Sequence, residues 1–364
     1  MTADPHPVLD DPAERAKLDP SRMLEAVYRL PEQCREAWAA AKTFEVPWKV
    51  APGGIVILGM GGSAIAGDYF RALLSLESPV PVFNVRSYDL PPFVDEGTLV
   101  IASSFSGETE ETLSAFEQAL ATPAMKLAIA TGGRLLATAR ANGVPAFTFV
   151  YKGEPRAAIG WGLMPLLATA EQLGLMQRVE RDVEEAITVL SSLRKEYAAE
   201  TGCPDNPAKR LALQLYERLP VVYGSGPLIE VARRWKTQLN ESAKVWAFFE
   251  EMPEAQHNVI VGLELPRMIT GTTMAMILRS VSLDHARVSL RYDLMRRLLA
   301  DAGINAIEVP ARGTSALAQI LSLTLLGDFA ASYLAMLYGV DPTPTPVIDE
   351  LKASLAKAGT PAQT

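Results

Sequence analysis

The sequence predicts an α/β protein made of two tandem three-layer units, each with a parallel sheet covered by helices on both faces. Three observations lead to this fold class. The 364 residues suffice for two domains, at about 150 residues each. Short apolar runs alternate with segments of helical spacing, as in sheets whose strands are joined by crossover helices. The same alternation then starts again after a segment rich in Gly and Pro at residues 201–207.

The first 45 residues form an N-terminal region ahead of the two units. Residues 1–19 are rich in Pro, Asp and Lys, and we expect a loosely ordered lead-in there. From Ser21 to about Lys42, apolar residues recur at helical spacing, which predicts one or two packing helices. These residues are Met23, Val27, Leu30, Cys34 and Trp38.

The first unit, residues 46–200, contains five predicted strands and the helices between them. The strands are predicted at Ile55–Leu58, Val82–Val85, Leu99–Ser103, Lys126–Ala130 and Ala146–Val150. The helices between them are predicted near Ala64–Leu76, Glu108–Ala121 and Leu135–Asn142. Further helices are expected from Gly162 to about Glu200.

The second unit, residues 201–364, begins with a linker at Thr201–Pro207 and repeats the pattern. A strand at Leu219–Tyr223 is followed by a Gly-Ser-Gly turn and a helix over Leu228–Lys244. Later strands are predicted near Met268–Ile269, at Arg287–Leu290 and at Ala306–Val309. We expect this unit to lack the dense serines of the first. The long apolar stretch Leu317–Val340 is interrupted by polar residues and is interpreted as one or two buried helices, not a membrane span.

Composition argues against several classes of function. The chain has 42 acidic and 34 basic residues, so a broad basic face for nucleic acid is not expected. Residues 1–12 lack the pattern of a signal peptide, which predicts a cytoplasmic protein without membrane association. Two distant cysteines and three histidines match no metal-ligand spacing, and we expect neither a metal nor a cofactor.

Two turns rich in small residues follow neighbouring strands of the first unit. One is the glycine turn, Gly59–Ser63, and the other is the serine turn, Ser104–Thr109. Each opens into a helix, whose N-terminus offers unpaired N–H groups and partial positive charge to an anion. Neither turn is a Walker loop or a dinucleotide fingerprint. We therefore predict a phosphate cradle formed by Gly61, Gly62, Ser63, Ser104, Ser106 and Thr109.

Further segments, taken with the two turns, resemble the sugar isomerase (SIS) family, and within it the bifunctional phosphoglucose/phosphomannose isomerases of archaea and bacteria. They occur in family order: Gly59–Asp68, Ser104–Thr112, Pro155-Arg156, Asn240–Lys244, His257-Asn258 with Ile260–Gly262, and Asp341–Pro344 leading to Lys352. The resemblance implies tandem SIS-type, flavodoxin-like subdomains. It also implies metal-free isomerisation of glucose 6-phosphate or mannose 6-phosphate to fructose 6-phosphate through a cis-enediol.

The same resemblance assigns roles to individual residues. Glu241 would be the general base, and Arg156 the cation that stabilises the enediolate. His257 would open the sugar ring together with Lys352, and the family implies that this histidine reaches the active site of a neighbouring subunit in a homodimer. Thr345 matches a position linked to tolerance of both C2 epimers. His285 has no such context and is expected to be structural.

Some positions depart from the family pattern, and other functions stay open. Val259 and Ala66 replace more usual residues, and Glu108 places a carboxylate beside the predicted phosphate site, where it would be repulsive unless it points away or serves a helix N-terminus. One alternative is a catalytically weak SIS protein that binds phosphosugars for regulation. A phosphosugar synthase or amidotransferase partner would require an N-terminal nucleophilic cysteine, and we do not expect this function because the first cysteine of the sequence is Cys34.

Overall fold

The computed structural model describes residues 6–358 and begins with four helices. They are α1 (His6–Asp10), α2 (Pro12–Leu18), α3 (Met23–Tyr28) and α4 (Leu30–Lys42). Asp11 caps α2 by accepting a hydrogen bond from the Ala13 N–H at 2.8 Å, and Arg15 donates to the Leu9 carbonyl at 2.7 Å. Leu9 is buried. The prediction of a loose lead-in is therefore wrong from residue 6 onward, and residues 1–5 lie outside the described range.

The first sheet has five parallel strands in the spatial order β2-β1-β3-β4-β5. The five predicted positions are confirmed, at β1 (Gly54–Leu58), β2 (Val82–Val85), β3 (Thr98–Ser103), β4 (Met125–Ala130) and β5 (Ala146–Thr148). Its helices are α5 (Gly61–Leu74), α6 (Glu110–Leu120), α7 (Gly133–Ala141), α8 (Ile159–Gln172) and α9 (Val179–Tyr197).

Alternate residues of the central strand β1 belong to two separate cores. Ile55 and Ile57 pack into the core that includes α5 and α8, whereas Val56 and Leu58 pack into the core that includes α6 and α7. Burial on both faces explains why these strands are continuous apolar runs in the sequence. The carboxyl ends of β1 and β3, where the glycine and serine turns begin, lie side by side because the strands are paired in parallel.

The second sheet has four parallel strands in the order β7-β6-β8-β9. They are β6 (Leu219–Ser225), β7 (Phe248–Met252), β8 (Thr273–Arg279) and β9 (Asn305–Pro310). The helices of this part are α10 (Pro207–Leu215), α11 (Leu228–Glu241), α12 (Arg267–Thr270), α13 (Ala286–Asp301), α14 (Ala316–Leu337) and α15 (Pro346–Ala358). The α/β prediction of two tandem parallel sheets is confirmed.

Two of the predicted strands in this unit need correction. Residues 287–290 lie inside α13, where the buried positions Val288, Tyr292, Met295 and Leu299 follow helical spacing. Met268 and Ile269 lie in the short helix α12, and the neighbouring strand β8 begins at Thr273. The edge strand β7 was not predicted, because its sequence Phe-Phe-Glu-Glu-Met contains two charged residues and lacks apolar alternation.

Helix α14 is the central helix of the molecule and packs against α9, α10 and α11. By length and composition it is the one helix of the described residues that could cross a membrane. Its residues are buried inside the protein, however, as predicted for a core helix.

Candidate active site

The glycine turn connects β1 directly to α5 and packs tightly against two other segments. A Cβ on Gly59 would lie 3.0 Å from the Ser103 carbonyl oxygen at the end of β3. A Cβ on Gly62 would lie 3.0 Å from the Pro155 carbonyl oxygen and 3.4 Å from the Cα of Arg156. The small residues therefore bring the N-terminus of α5 beside the serine turn and beside Arg156. Gly61 is exposed, and Gly62 and Ser63 are half-buried.

The serine turn is ordered by its own hydroxyl groups. Ser104 Oγ accepts a hydrogen bond from the Gly107 N–H at 3.1 Å and lies 2.9 Å from Thr109 Oγ1. Ser106 Oγ accepts from the Glu108 N–H at 3.2 Å. Gly107 has φ +72°, and a Cβ there would lie 2.0 Å from the Gly132 carbonyl oxygen. Ser106 is exposed and Thr109 half-buried, so their hydroxyls remain accessible to a ligand.

Glu108 points away from the space between the two turns. Its carboxylate accepts from the Arg134 N–H at 2.8 Å and from Arg134 Nε at 2.8 Å, at the start of helix α7. These bonds lower the pKa of Glu108. The carboxylate therefore serves a helix N-terminus, which is the arrangement in which it does not repel a phosphate.

Arg156 and Glu241, which are 85 positions apart in the sequence, are brought together. Arg156 Nη1 lies 4.0 Å from Glu241 Oε2 and 3.2 Å from Glu154 Oε2. Arg156 is buried in the 3₁₀ turn Pro155–Ala157, whereas the Glu241 side chain, in the last turn of α11, is 31% exposed. The pair thus combines a fixed buried cation with a carboxylate that a ligand can reach.

The guanidinium of Arg156 is held by backbone and hydroxyl groups that sequence reasoning missed. Nη2 donates to the Pro342 carbonyl at 2.8 Å and to the Thr343 carbonyl at 2.5 Å, and Nε donates to Ser242 Oγ at 3.4 Å. The segment Asp341–Pro344 carried the family resemblance, but nothing in a side-chain pattern reveals a role played by carbonyl groups. The structure shows that it fixes the orientation of the arginine.

Lys244 does not pair with the carboxylate of Glu241. Its Nζ donates to the backbone carbonyls of Glu241 at 2.5 Å and Pro344 at 2.7 Å. Burial, together with the charge of Arg156, lowers the pKa of Lys244. The Glu241 carboxylate is therefore not engaged by the lysine three residues later on its helix.

His257 and Lys352 lie on the surface of the chain. His257 is exposed at the end of the 3₁₀ turn Glu254–His257 after β7, and Lys352 is exposed on α15. Among the described residues, neither side chain makes a hydrogen bond or ion pair with Arg156 or Glu241. Thr345 immediately precedes α15, and its carbonyl accepts a hydrogen bond from the Ile348 N–H at 3.0 Å. His285 Nδ1 accepts from the Arg287 N–H at 3.1 Å, so it caps α13, which agrees with the structural role expected for it.

Within residues 6–358, no three His, Cys, Asp or Glu side chains come close enough together to hold a metal ion. The site that the structure describes is a carboxylate beside a buried guanidinium, next to two hydroxyl-rich turns. Such a site can move a proton on carbon while a cation stabilises the adjacent oxyanion.

Comparison with known proteins identifies the family of the chain. Residues 51–138 match the SIS domain, and residues 204–355 match the bacterial phospho-glucose isomerase C-terminal SIS domain. The chain is 42% identical to a bifunctional phosphoglucose/phosphomannose isomerase of Caldicellulosiruptor bescii, over 92% of this chain and 99% of that protein. It is 36% identical to the protein of the same name in Aquifex aeolicus, over 84% and 91%.

A solved structure supports the fold independently of sequence. A hypothetical protein from Thermus thermophilus superposes with a TM-score of 0.74 at 18% identity, covering 97% of this chain and 94% of that one. At this identity the likeness concerns the tandem SIS fold alone. The two domain matches and the two relatives, in turn, show that the chain belongs to the bifunctional phosphoglucose/phosphomannose isomerase family of SIS-domain proteins.

Proposed function

We propose that this protein interconverts glucose 6-phosphate, mannose 6-phosphate and fructose 6-phosphate through a cis-enediol intermediate. The observation that carries the proposal is the 4.0 Å approach of Arg156 to Glu241 beside the glycine and serine turns. The relatives whose names state both isomerase activities support the choice of substrates. In this proposal the two turns hold the phosphate, and the carboxylate and guanidinium face C1 and C2 of the opened sugar.

The proton transfer uses one base for both aldoses. The Glu241 carboxylate removes the proton from C2, the C–H electron pair forms the C1–C2 double bond, and O1 takes the negative charge. Glu241 then delivers its proton to C1, the proton of the C2 hydroxyl is transferred to O1, and C2 becomes the ketone carbonyl. Arg156 stabilises the oxyanion without reorganising, because its guanidinium is already fixed by the carbonyls of Pro342 and Thr343.

Ring opening is assigned to His257 and Lys352, with His257 reaching the site of a neighbouring subunit in a homodimer. Both side chains are exposed in the single chain, and an imidazole can accept and donate a proton near neutral pH. Exposed leucines at helical spacing on α13 and further exposed apolar residues after His257 offer a surface for a second copy; they are Leu290, Leu294, Leu298, Val261, Leu265 and Met268. Thr345 would leave room for either C2 epimer.

The first test replaces the proposed base, Glu241, and compares the loss of activity with that caused by replacing Glu154, the other carboxylate near Arg156. Glu241→Gln keeps the shape of the side chain but cannot accept a proton, so the rates with both aldoses should fall by about 10²–10⁴-fold. Glu154→Gln, the matched control, should lose less than about tenfold. Steady-state assays from fructose 6-phosphate measure both products. If Glu154→Gln loses more activity than Glu241→Gln, the base is misassigned; if the wild type turns over none of the three sugars, the proposed function is wrong.

The second test concerns the shared site. If His257 serves the neighbouring subunit, a heterodimer of Glu241→Gln and His257→Ala subunits contains one site with both residues intact. Mixing the two inactive variants should therefore restore up to about a quarter of the wild-type activity, the share expected from random pairing in C₂ dimers. Native mass spectrometry should confirm that heterodimers have formed. Heterodimers without activity would place both residues in the same subunit.

A further inference from the structure

The buried ion pair between Arg234 and Asp328 lies behind the proposed catalytic pair. Arg234 is on α11 and Asp328 is on α14, and both side chains are at most 5% exposed. Arg234 Nε and Nη2 donate to the two carboxylate oxygens at 3.1 Å and 2.7 Å. Gln238, one helical turn further along α11, donates to the same carboxylate at 2.9 Å.

Arg234 makes one more hydrogen bond, which connects it to a residue of the proposed site. Its Nη2 donates to the backbone carbonyl of Arg156 at 2.9 Å. Arg234 thus links the helix that ends with Glu241 to the backbone of the residue that carries the guanidinium. Arg234, Gln238 and Glu241 are spaced four and three residues apart, so they share one face of α11.

The packing around this link leaves α11 little freedom to shift. A Cβ on Gly327 of α14 would lie 2.3 Å from Trp235 Nε1, and Trp235 donates to the Leu323 carbonyl at 2.8 Å. Buried ion pairs are often no more stabilising than apolar residues of the same size. An apolar pair, however, could not donate a hydrogen bond to the Arg156 carbonyl.

We propose that Arg234, oriented by Asp328, is a positioning residue that sets the Arg156 guanidinium relative to the Glu241 carboxylate. The inference rests on the proposed function, because it explains how that catalytic pair keeps its geometry. Small displacements of reacting groups reduce rates strongly, by about 10²-fold for roughly 1 Å. Removal of Arg234 should therefore lower kcat, while the two phosphate-binding turns and hence KM remain close to normal.

The chain offers a matched control at another buried cation. Lys209 is fully buried, donates to Asp10 Oδ1 at 2.9 Å and donates to the Ala199 carbonyl at 2.9 Å. Like Arg234, it pairs with a carboxylate and with a backbone carbonyl. It contacts none of the residues proposed for the site, so Lys209→Met measures the effect of losing such a cation on folding alone.

The test compares kcat, KM and melting temperature of three proteins with the wild type. The double variant Arg234→Met/Asp328→Leu replaces the ion pair by apolar residues and should lose about 10²-fold in kcat with KM changed less than about threefold. Arg234→Lys keeps the positive charge but has a single ammonium group in place of the planar guanidinium, so its kcat should fall about tenfold. If the double variant does not fold, the kcat of Arg234→Lys decides the test. Lys209→Met should keep its kcat.

Three results would overturn the proposal: unchanged kcat in both Arg234 variants, an equal loss of kcat in Lys209→Met, or a change confined to KM. If the wild type proves inactive, the proposed function fails, and the positioning role is then decided by a crystal structure of Arg234→Lys. In that structure the separation of Arg156 Nη1 and Glu241 Oε2 should differ from 4.0 Å by about 1 Å or more. An unchanged separation would refute it.

Discussion

The two units follow the same chain path, and their serine-containing turns have the same length. In each sheet the first strand in the sequence is an interior strand. The second strand pairs with one side of it and forms the edge of the sheet, and the third strand pairs with its opposite side. The third strand is followed by a six-residue turn in both units: Ser-Phe-Ser-Gly-Glu-Thr at 104–109 and Ser-Val-Ser-Leu-Asp-His at 280–285. Even the first serine makes the same bond, accepting from the N–H three residues later at 3.1 Å and 2.9 Å, respectively.

The difference lies in the acidic residue at the fifth position of each turn. Glu108 turns outward to Arg134 and leaves its own turn open. Asp284 turns inward: it accepts from Ser225 Oγ at 2.6 Å and from the Ser280 N–H at 2.9 Å, and its side chain is fully buried. The second turn therefore contains its own anion.

The remaining hydroxyls of the second turn are also engaged. Ser280 Oγ donates to the Gln319 side chain at 2.5 Å, and Ser282 Oγ accepts from it at 2.8 Å. The expectation that this unit lacks the serines of the first is thus corrected, since Ser280 and Ser282 occupy the same positions as Ser104 and Ser106. A strand, a serine turn and a helix therefore leave their donors to an external anion only where no internal carboxylate already accepts from them.

The largest expected effect is on stability, from removing the internal anion of the second unit. Asp284→Ala leaves Ser225, the Ser280 N–H and part of the charge of Arg279 without a partner, so the free energy of unfolding should fall by about 3 kcal/mol. Denaturant titration measures the loss, and kcat should stay near the wild-type value because the turn is not part of the proposed site.

The control for this change is a variant of Asp293, a second carboxylate near Arg279. Asp293 lies 3.7 Å from Arg279 but is 54% exposed, so Asp293→Ala should reduce stability by at most about 1 kcal/mol. If the two variants lose equal stability, Asp284 does not act as an internal anion of its turn.

An effect of similar or smaller size is expected from the glycines of the turns. Gly107→Ala meets both a left-handed φ of +72° and a backbone oxygen 2.0 Å away, and it should lower the free energy of unfolding by about 2–4 kcal/mol. Gly226→Ala, at φ +49° with its nearest neighbour 3.7 Å away, should lower it by about 1–2 kcal/mol. Thermal unfolding compares them. Equal losses would mean that the close approach of Gly107 to Gly132 does not shape the serine turn.

Most of the first unit could be predicted from sequence because its strands are apolar runs bounded by turn residues, whereas the second unit could not be predicted as well. The sequence of the charged edge strand β7 resembles that of a loop, and residues near the start of α13 (Arg-Val-Ser-Leu) resemble an alternating strand over a short window.

The candidate site, too, could be predicted only in part from the sequence. Arg156 and Glu241 were identified as candidates, but their 4.0 Å approach and the carbonyls that hold the arginine depend on contacts over long sequence distances. The roles of Arg156, Glu241, His257 and Lys352 all stay predictions.

Calorimetric titration with fructose 6-phosphate tests directly whether the first unit binds the phosphate. We expect one phosphate-dependent site per chain and no binding of free fructose, and at 100 times Kd the ligand should stabilise the fold by about 2.7 kcal/mol. Binding should be lost in Ser106→Ala/Thr109→Val, which alters the open turn, and kept in Ser282→Ala, which alters the occupied one. Equal binding of free fructose, undiminished binding by the Ser106/Thr109 variant, or loss of binding in Ser282→Ala would contradict the assignment of the phosphate to the first unit.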